Sequence, residues 1–365
     1  MHPIPDITFV GAGISGLLSA RLFALAGAKV TLIDKGEIAQ ESSWAGGGIL
    51  LPLYPWRQAE AISQLVIPSI AAYPALADAL VESTSLDPEY IVSGLLMTEL
   101  PDLAKAQAWC AKVAINHQQE NLEQSACLSQ SQGESLYFPE IAQVRNPRLL
   151  KSLKQDLSQR GVDIIEHCVI EKLTIKNQRI TQIGSATEMF AVNQVVMSAG
   201  AWTGELWAEL FDNAALQPDV YPVKGQMIIF DTPPNTLSTM VLENDRYLIP
   251  RRDGKILCGS TVEQQGFDKT TSDRAKQSLA AFAKQLLPVL EHAPIIHHWA
   301  GLRPGTRQGI PYIDKHPEII NLAINAGHFR NGFAMGPASA QLLYELINNQ
   351  PTTIDPAPYQ LSAQH

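Results

Sequence analysis

Blocks of apolar residues, separated by polar and glycine-rich stretches, run along the chain and predict alternating strands and helices. Near the N-terminus, the apolar residues 7–10 indicate a strand. The stretch 17–26 indicates a helix, because it is rich in Leu and Ala, which are strong helix formers. Residues 29–33 predict a second strand that ends at Asp34. The chain therefore opens with a strand–helix–strand unit, whose first two elements are joined by a glycine-rich turn.

The pattern changes character in residues 221–261, which are rich in strand-forming positions and include a hairpin around Asp253 and Gly254. Before and after this part, strand and helix patterns alternate. Further helices are predicted at 59–81 (interrupted at Pro68 and Pro74), 149–161, 272–287 and 333–347, and one opens at 201. Further strands are predicted at 162–165, 168–175, 194–200, 227–230, 247–250, 255–258, 297–302 and 321–326, with a turn at 327–332.

This order of elements predicts an α/β fold with two discontinuous domains. The chain begins and returns at its end to strand–glycine turn–helix units, which are typical of a Rossmann-like dinucleotide-binding domain. The intervening β-rich part indicates an antiparallel second domain. We assign 1–85, 141–220 and 300–365 to the dinucleotide-binding domain, and 86–140 and 221–299 to a substrate domain.

Composition supports a folded chain and argues against one class of function. Of the 365 residues, 45% are apolar and 17% are charged, a balance that suits a globular protein with a sizeable core. The chain has 27 basic and 36 acidic residues, a net charge of −9. Phosphate backbones are normally bound by clustered basic residues, so we expect no nucleic-acid partner.

Cysteine spacing and apolar run lengths predict the cellular setting. No C-x-x-C pair is present, so we expect reduced thiols rather than a zinc site or disulfides. The adjacent His297 and His298 would point to opposite faces of a strand, and we expect no metal site. We also expect no signal peptide and no membrane-spanning segment, and hence a cytoplasmic protein. The four cysteines are Cys110, Cys127, Cys168 and Cys258.

The first turn carries the pattern G-x-G-x-x-G at Gly11, Gly13 and Gly16. Between a strand and a helix, these glycines allow a tight turn, a close approach to a pyrophosphate and close helix packing, respectively. The pyrophosphate would lie at the helix N-terminus, where N–H groups and the helix dipole favour an anion. Asp34 is placed to bind a ribose with a free 2′-hydroxyl, which favours NAD or FAD over NADP. A βαβ turn without a ligand is the alternative.

A second glycine-rich stretch, residues 42–49, follows closely. Its three consecutive glycines, Gly46, Gly47 and Gly48, would each weaken a helix or strand interior by roughly 0.5–1 kcal/mol relative to Ala. Glycines are useful where backbone passes close to a ligand. A flexible loop is the alternative, although the apolar residues 49–51 beside the glycines argue for burial.

Together with three later motifs, these residues resemble the D-amino-acid-oxidase family of flavoproteins, and within it most closely the glycine oxidases of bacterial thiamine biosynthesis. The later motifs are R-Y-L-I-P-R-R-D-G at 246–254, W-A-G-L-R-P-G-T at 299–306 and G-H-F-R-N-G at 327–332. The resemblance covers nearly the whole chain. It implies FAD in the Rossmann-like domain. Relatives with covalent flavin use a late cysteine, and none follows Cys258, so we expect FAD to be bound non-covalently.

The resemblance also assigns residues to the cofactor. The pyrophosphate would contact the first glycine turn. The ribose would contact Asp34 and Lys35, and the adenine would contact the backbone at Val169. Residues 328–333 would surround the flavin pyrimidine ring, and Trp44 stands where many relatives carry a small residue near the flavin. The cofactor residues expected are Gly11, Gly13, Ile14, Ser15, Gly16, Asp34, Lys35, Ser42, Ser43, Gly46, Gly47, Gly48, Ile49, Val169, His328, Phe329, Arg330, Asn331, Gly332 and Phe333.

For the substrate, the resemblance implies glycine, sarcosine or small D-amino acids, with O₂ as the second partner and a homotetramer as the assembly. An Arg fork can hold a carboxylate through two parallel hydrogen bonds. We assign this role to Arg303, with Tyr247 as a phenolic donor and Arg330 as a second contact. No general acid or base is expected.

Other functions remain open from the sequence alone. A D-amino-acid dehydrogenase of the same fold would pass electrons to a quinone, and a related flavin oxidase trims a modified tRNA base, although the net negative charge disfavours the latter. From a different class, a non-catalytic flavin- or partner-binding module would not need Tyr247, Arg303 and Arg330 together. Reactivity with O₂ depends on access to the flavin, which sequence does not give.

Overall fold

The structure is a computed structural model that describes residues 4–119, 128–129, 133–211 and 216–363. Its strands form two large sheets and two small ones. They are β1 (Ile7–Val10), β2 (Val30–Ile33), β3 (Ile91–Val92), β4 (Leu95–Met97), β5 (Leu136–Phe138), β6 (Ala142–Gln143), β7 (Asp163–Ile165), β8 (Lys172–Lys176), β9 (Arg179–Gly184), β10 (Met189–Ala191), β11 (Gln194–Met197), β12 (Tyr221–Phe230), β13 (Met240–Glu243), β14 (Arg246–Pro250), β15 (Ile256–Gly259), β16 (Ile295–Gly305), β17 (Tyr312–Lys315) and β18 (Leu322–Ala326).

Several α-helices contact strands of the large sheets, whereas the longest one, residues 60–84, packs against other helices. The described α-helices are α1 (Ile14–Leu25), the single turn α2 (Ser42–Ala45), α3 (Glu60–Thr84), α4 (Leu103–Val113), α5 (Asn146–Gln159), α6 (Thr203–Leu210), α7 (Asp273–Leu286) and α8 (Gly332–Ile347). Five of them match the predicted helices within a few residues. The predicted opening of a helix at 201 is a 3₁₀ turn, Gly200–Trp202, that leads into α6.

The six-stranded sheet has the order β17-β18-β11-β1-β2-β7 and is parallel except for its edge strand β17. Its central strands are buried on both faces: Phe9, Leu32 and Val196 have no exposed surface. Such strands read as continuous apolar runs, which is why the sequence located them. The chain passes from β1 to β2 on one side and returns to β1 on the other side as β11. The order therefore reverses at β1, where open α/β sheets form a ligand crevice.

The seven-stranded sheet has the order β16-β12-β15-β14-β13-β4-β5 and is antiparallel except for the pair β13–β4. The predicted hairpin is present as β14 and β15, which pair through Leu248 and Cys258. The predicted strands 227–230 and 297–302 are parts of the longer β12 and β16. The proposed domain boundary between 299 and 300 falls inside β16, and the division into two domains remains a prediction.

A shared core joins the two large sheets. Phe9 and Leu32 of the six-stranded sheet belong to the same cluster of buried residues as Met240 and Ile249 of the seven-stranded sheet. Because protein cores are close-packed, this cluster holds the two sheets in a fixed relation. A crevice at the end of β1 can therefore be lined from both sheets.

Two predicted elements differ from the structure. Helix α3 runs through Pro68 and Pro74 without interruption, so the predicted interruptions are wrong. Each proline removes its own N–H donor and crowds the carbonyl four residues earlier, but the helix buries Leu65 and Tyr73 in the core, which outweighs these costs. The strand predicted at 168–175 begins only at Lys172.

Among the described residues, α3 alone is long and apolar enough to cross a membrane by length and composition. By itself such a helix is weak evidence for a membrane span, because core helices of folded domains pass the same test. A third (33%) of its most apolar window is buried within the protein, and the helix packs against α5 and α8. These contacts are those of a helix that belongs to the fold.

Three cysteines of the described part are free, namely Cys110, Cys168 and Cys258, whereas Cys127 lies outside it. Burial raises the pKa of the Cys110 thiol to about 11, so this thiol is protonated and unreactive at neutral pH. Within the same residues, no group of three or more His, Cys, Asp or Glu side chains could hold a metal ion.

Candidate functional site

The first glycine turn is shaped by close backbone contacts at the end of β1. Gly11 has φ +100°, a conformation that L side chains rarely adopt, and a Cβ there would collide with the Ser198 carbonyl group after β11. A Cβ on Gly16 would collide with the Gly11 carbonyl oxygen. The Ser198 hydroxyl donates a hydrogen bond of 2.6 Å to that same oxygen. Gly11 therefore allows the tight turn, and Gly16 allows the start of α1 to pack closely against the end of β1.

The N-terminus of α1 opens from this turn. Gly13 is its N-cap residue and offers no side chain to cap the first-turn amides. One of these amides, that of Ile14, donates to the Ser43 hydroxyl at 2.9 Å. A Cβ on Gly13 would lie 3.1 Å from the same hydroxyl oxygen, so the glycine leaves room beside α2. The two glycine-rich stretches thus meet at one helix terminus.

Asp34 lies behind the glycine turn and supports it. Its carboxylate accepts hydrogen bonds from the amides of Ala12 at 2.8 Å and Gly36 at 3.0 Å. Burial raises the pKa of this carboxyl, and the two amides act against the rise. The Lys35 ammonium lies 3.3 Å from the centre of the Trp202 ring, and burial lowers its pKa. Val169 is exposed and follows Cys168, whose amide donates to the Asp34 carbonyl.

A cavity of about 1100 Å³, its open mouth included, lies between the two large sheets. It brings together most of the residues predicted to bind a ligand, but Gly11, Gly16, Asp34, Lys35 and Val169 do not line it. The predicted residues on its wall are Gly13, Ile14, Ser15, Ser42, Ser43, Gly46, Gly47, Gly48, Ile49, Tyr247, Arg303, His328, Phe329, Arg330, Asn331, Gly332 and Phe333.

Several wall residues were not predicted, and Asn146 is the most informative. It is fully buried, and its amide nitrogen donates to the Ser43 carbonyl at 2.8 Å. Its amide oxygen has no hydrogen-bond partner within the described residues. The signal in the sequence is weak: an Asn before a proline indicates a helix start, which says nothing about a ligand. The others include Ser198, Gly225, Met227 and Asn325.

Arg303 points into the cavity from β16, at the side opposite the first glycine turn. Its guanidinium donates to the Ser260 hydroxyl at 2.7 Å and to the carbonyls of Thr261 at 3.1 Å and Lys224 at 3.4 Å. All three acceptors are neutral, and none of the ion pairs between described residues involves Arg303. Burial lowers its pKa to about 10, so it stays protonated at neutral pH.

Gly225 on the neighbouring strand β12 makes room for this guanidinium. A Cβ on Gly225 would overlap the Arg303 side chain. Tyr247 completes this side of the cavity from β14 and is 7% exposed. Its hydroxyl lies 3.8 Å from the Met227 sulfur, and the phenol is close enough to Arg303 to raise the pKa of the guanidinium. The charge of Arg330 acts in the opposite direction.

The turn 327–332 forms the remaining wall and leads into α8. The imidazole of His328 is 2% exposed, with Nδ1 3.3 Å from the Ser15 hydroxyl, and Nε2 is without a partner in the described residues. Burial lowers the pKa of His328 to about 4, so the ring is neutral at physiological pH. The N-cap residue of α8, Asn331, donates to the Gln58 side chain instead of capping the helix. The first turn of α8 therefore has no side-chain cap at the point where Gly332 and Phe333 line the cavity.

Trp44 lies away from this wall. It is 37% exposed and contacts the edge of Trp299 at a ring-centre distance of 5.9 Å. The Trp299 indole in turn donates to the Ala45 carbonyl at 3.1 Å. The large Trp44 ring is therefore accommodated at the surface, outside the cavity wall.

The arrangement suits a long ligand with an anionic middle. Two helix N-termini and the glycine turns offer N–H groups, while a guanidinium and a phenol stand at the far side. FAD fits this wall on one observation: His328 Nε2 and Asn146 Oδ1 are buried polar atoms that lack a partner among the described residues. The fold and the site together define a dinucleotide-dependent oxidoreductase.

Comparison with known proteins identifies the family. Residues 6–346 match the DAO family model, described as FAD dependent oxidoreductase, and the chain belongs to this family. FAD is therefore its cofactor, and the predicted fold class is confirmed.

Comparison with individual proteins shows which members of the family the chain is similar to. The chain is 44% identical over 359 residues to glycine oxidase of Pseudomonas putida, with 97% of each chain covered. It superposes with a TM-score of 0.92 on the crystal structure of glycine oxidase from Geobacillus kaustophilus, at 27% identity and with 99% of each chain covered. It is also 28% identical to the bifunctional protein ThiO/ThiG of Synechocystis sp., where it covers 52% of the longer chain.

Proposed function

We propose that the protein is an FAD-dependent oxidase of glycine and other small amines, including sarcosine and small D-amino acids. The products are the imine, which hydrolyses or is used further, and hydrogen peroxide. The observation that carries this proposal is the Arg303 guanidinium, which has only neutral acceptors and faces the cavity beside Tyr247. A ligand carboxylate beside this guanidinium would form a charge-assisted pair and would compensate for the burial of the cation. The relatives named glycine oxidase support the same substrate.

The cofactor residues take the following roles in this proposal. The N-terminus of α1 and the glycine turn hold the pyrophosphate, and Asp34 with Lys35 lies at the adenosine ribose. Ser43 and Gly47 lie along the path towards the isoalloxazine. The turn 327–332 and the N-terminus of α8 would hold the flavin pyrimidine, where their N–H groups would favour negative charge. In this proposal FAD is bound non-covalently, without a bond to any side chain.

The chemistry then divides between cofactor and protein. Bound FAD supplies the acceptor for a hydride from the substrate α-carbon. Arg303 and Tyr247 fix the substrate carboxylate, which orients the α-carbon for this transfer. The described wall brings no Asp, Glu or Lys side chain into the cavity, and its one histidine is neutral and engaged with Ser15. In this proposal the substrate amine binds in its neutral form, so that no side chain has to act as a general base.

Glycine oxidation would supply an imine for the thiazole branch of thiamine biosynthesis, as the resemblance implies. The relative in which a similar chain occupies about half of a bifunctional protein, ThiO/ThiG, supports a link to a further enzymatic step. A cytoplasmic location and a homotetramer belong to the same proposal. Light scattering of the purified protein tests the assembly state.

The experiment that tests the function measures peroxide release from the yellow holoprotein. Glycine, sarcosine and D-alanine should each give peroxide. L-Alanine should be poor, because its side chain would occupy the position of the transferred hydrogen once carboxylate and amine are fixed. A protein that binds FAD and reduces a quinone with D-alanine, but releases no peroxide, would instead be a dehydrogenase. A protein that binds FAD and oxidises none of these amines would contradict catalysis itself.

A further inference from the structure

A segment of the chain crosses from the seven-stranded sheet to the crevice of the six-stranded sheet. It comprises residues 264–271, between β15 and α7, and is called the crossing segment here. Its Phe267 ring stacks on the Trp202 ring, with centres 5.4 Å apart and planes 23° apart. Phe267 is nevertheless 38% exposed, so it is not part of the core. The stack thus joins two distant parts of the chain at the surface.

A second contact fixes the same segment. The Lys269 ammonium binds both carboxylate oxygens of Glu41, at 2.9 and 3.0 Å. Between the two contacts, Asp268 accepts from the buried Lys224 at 3.0 Å and from the Thr270 amide at 2.9 Å. Lys224 belongs to β12, so Asp268 anchors the segment to its own sheet, while Phe267 and Lys269 attach it to the other.

The two attachment points lie at the crevice. Glu41 directly precedes Ser42 and Ser43, which line the cavity. Trp202 follows β11, and its ring also contacts the Lys35 ammonium, which follows β2. Because β11 and β2 flank β1, these contacts join the strand ends on both sides of the first glycine turn. The crossing segment is therefore fastened beside the turn proposed to hold the pyrophosphate and adenosine.

We propose that the crossing segment is a strap that closes the adenosine end of the FAD crevice and sets the rate at which FAD leaves. The proposal rests on the placement of the adenosine at Asp34 and Lys35. A strap needs attachments that can open without unfolding the protein. A half-exposed aromatic stack and an exposed ion pair meet this requirement, because neither is part of the buried core.

The test measures FAD dissociation from the holoprotein after dilution, through the rise in free-flavin fluorescence, in the absence of substrate. Phe267→Ala should speed FAD loss roughly three- to ten-fold, since an aromatic pair of this geometry is lost. Lys269→Ala should speed it by about two- to five-fold, as expected for an exposed ion pair. Added salt should speed FAD loss less in Lys269→Ala than in the wild type, because the variant has no pair to screen.

Matched variants separate a strap from a general effect. Val289→Ala removes another exposed apolar side chain, and Lys284→Ala breaks an exposed Lys–Glu pair with Glu291, both away from the crevice. Neither should change FAD loss. The charge exchange Glu41→Lys with Lys269→Glu should restore slow dissociation. Thermal unfolding of the apoprotein should be similar in Phe267→Ala and wild type, because the strap acts when FAD is bound.

Two results would overturn the strap. One is FAD dissociation that stays at the wild-type rate in both Phe267→Ala and Lys269→Ala. The other is that these variants destabilise the apoprotein as much as the holoprotein, which would mean that the segment stabilises the fold whether or not FAD is bound. Neither result depends on turnover, so a failure of glycine oxidation would leave this test intact.

Discussion

At the six-stranded sheet the cavity is lined mainly by the backbone of two glycine-rich turns, whereas at the seven-stranded sheet it is lined by the side chains of Tyr247, Arg303 and Met227. The end of the cavity at the six-stranded sheet depends on glycines, such as Gly13, which have no Cβ atom. The second depends on a charge and a hydroxyl that single residues carry. The same cavity is thus built by shape on one side and by side-chain chemistry on the other.

This difference follows from what each end has to bind. A pyrophosphate can be held by backbone N–H groups, which every residue except proline has, so the requirement falls on conformation and close approach. A small amino acid offers little more than its carboxylate and amine, so a specific side chain must recognise the charge. We therefore expect substitutions at the first end to affect FAD retention, and substitutions at the second end to affect substrate affinity.

Of the variants discussed, Arg303→Ala should show the largest difference between its effect on glycine affinity and its effect on FAD retention. It removes a charge-assisted pair worth about 1.5–3 kcal/mol, or roughly 10- to 150-fold in glycine affinity. FAD content should stay near that of the wild type. Arg303→Lys should recover only part of the affinity, because an ammonium cannot offer two parallel donors. The measurement is KM and kcat for glycine in FAD-saturated protein.

Two comparisons make this result specific. An amine without a carboxylate should lose much less, since it never used the guanidinium. Arg307→Ala, which breaks an exposed ion pair with Asp219, should leave the KM for glycine unchanged. An Arg303→Ala protein that oxidises glycine with an unchanged KM would move the carboxylate site to Arg330.

The contrast between the two ends also explains what sequence could predict. The glycine turn is contiguous: Gly11, Gly13 and Gly16 lie within six residues, and a local motif of this kind is visible in one sequence. The central strands are visible for the same reason, as short apolar runs buried on both faces. The substrate end draws on β12, β14 and β16, whose pairing is a property of the folded sheet. Arg303 and Tyr247 were therefore reached only through resemblance to a family.

The residues that were missed share this non-local origin. Gly225 is needed only because the Arg303 side chain lies across it, and Asn146 only because α5 packs beside α2. The crossing segment shows the same limit, since nothing in residues 264–271 indicates that Phe267 meets Trp202. Helix α3 shows the reverse error: Pro68 and Pro74 favour a break locally, and tertiary packing overrides them.

The second prediction concerns the pH dependence of the free energy of unfolding, because the cofactor end holds a buried neutral histidine. The folded pKa of His328 is about 4, below its ordinary 6.5. Between these values the unfolded chain takes up a proton that the folded protein does not, so the free energy of unfolding falls as pH falls. Between pH 6.5 and 5 the loss is about 1.5 kcal/mol, because the unfolded imidazole is only half protonated at pH 6.5 and the full slope of about 1.36 kcal/mol per pH unit is reached below it.

Denaturant unfolding of FAD-saturated protein at the two pH values measures this loss. His328→Gln should reduce the difference between the two pH values by about that amount, whereas the exposed His292→Gln serves as the control. An unchanged difference in His328→Gln would mean that the ring gains a proton without cost in the fold.

The third prediction concerns Asp34, the residue that supports the glycine turn at the cofactor end. Asp34→Ala removes the acceptor of the Ala12 and Gly36 amides, and should weaken FAD binding by about ten-fold, for a loss of about 1–2 kcal/mol. The KM for glycine at saturating FAD should change little. Asp6→Ala also removes an acceptor of a backbone amide, that of Lys29, but at the opposite end of the strands. If both variants weakened FAD binding equally, Asp34 would act on general stability rather than on the crevice.

The smallest effect is expected from Tyr247→Phe, which leaves shape intact and removes one hydroxyl. The ring is buried and fills the space beside Gly47 and Gly259, so phenylalanine keeps the packing. A carboxylate that loses one neutral donor while keeping its guanidinium should bind about three- to ten-fold more weakly, for about 1 kcal/mol. The loss should appear in the KM for glycine and not in FAD retention. Tyr221→Phe, whose hydroxyl contacts the Thr306 carbonyl outside the cavity, is the matched control. If Tyr247→Phe instead released FAD while its KM for glycine held, the phenol would belong to the cofactor end, and the division between shape and chemistry would fail at the residue where the two ends meet.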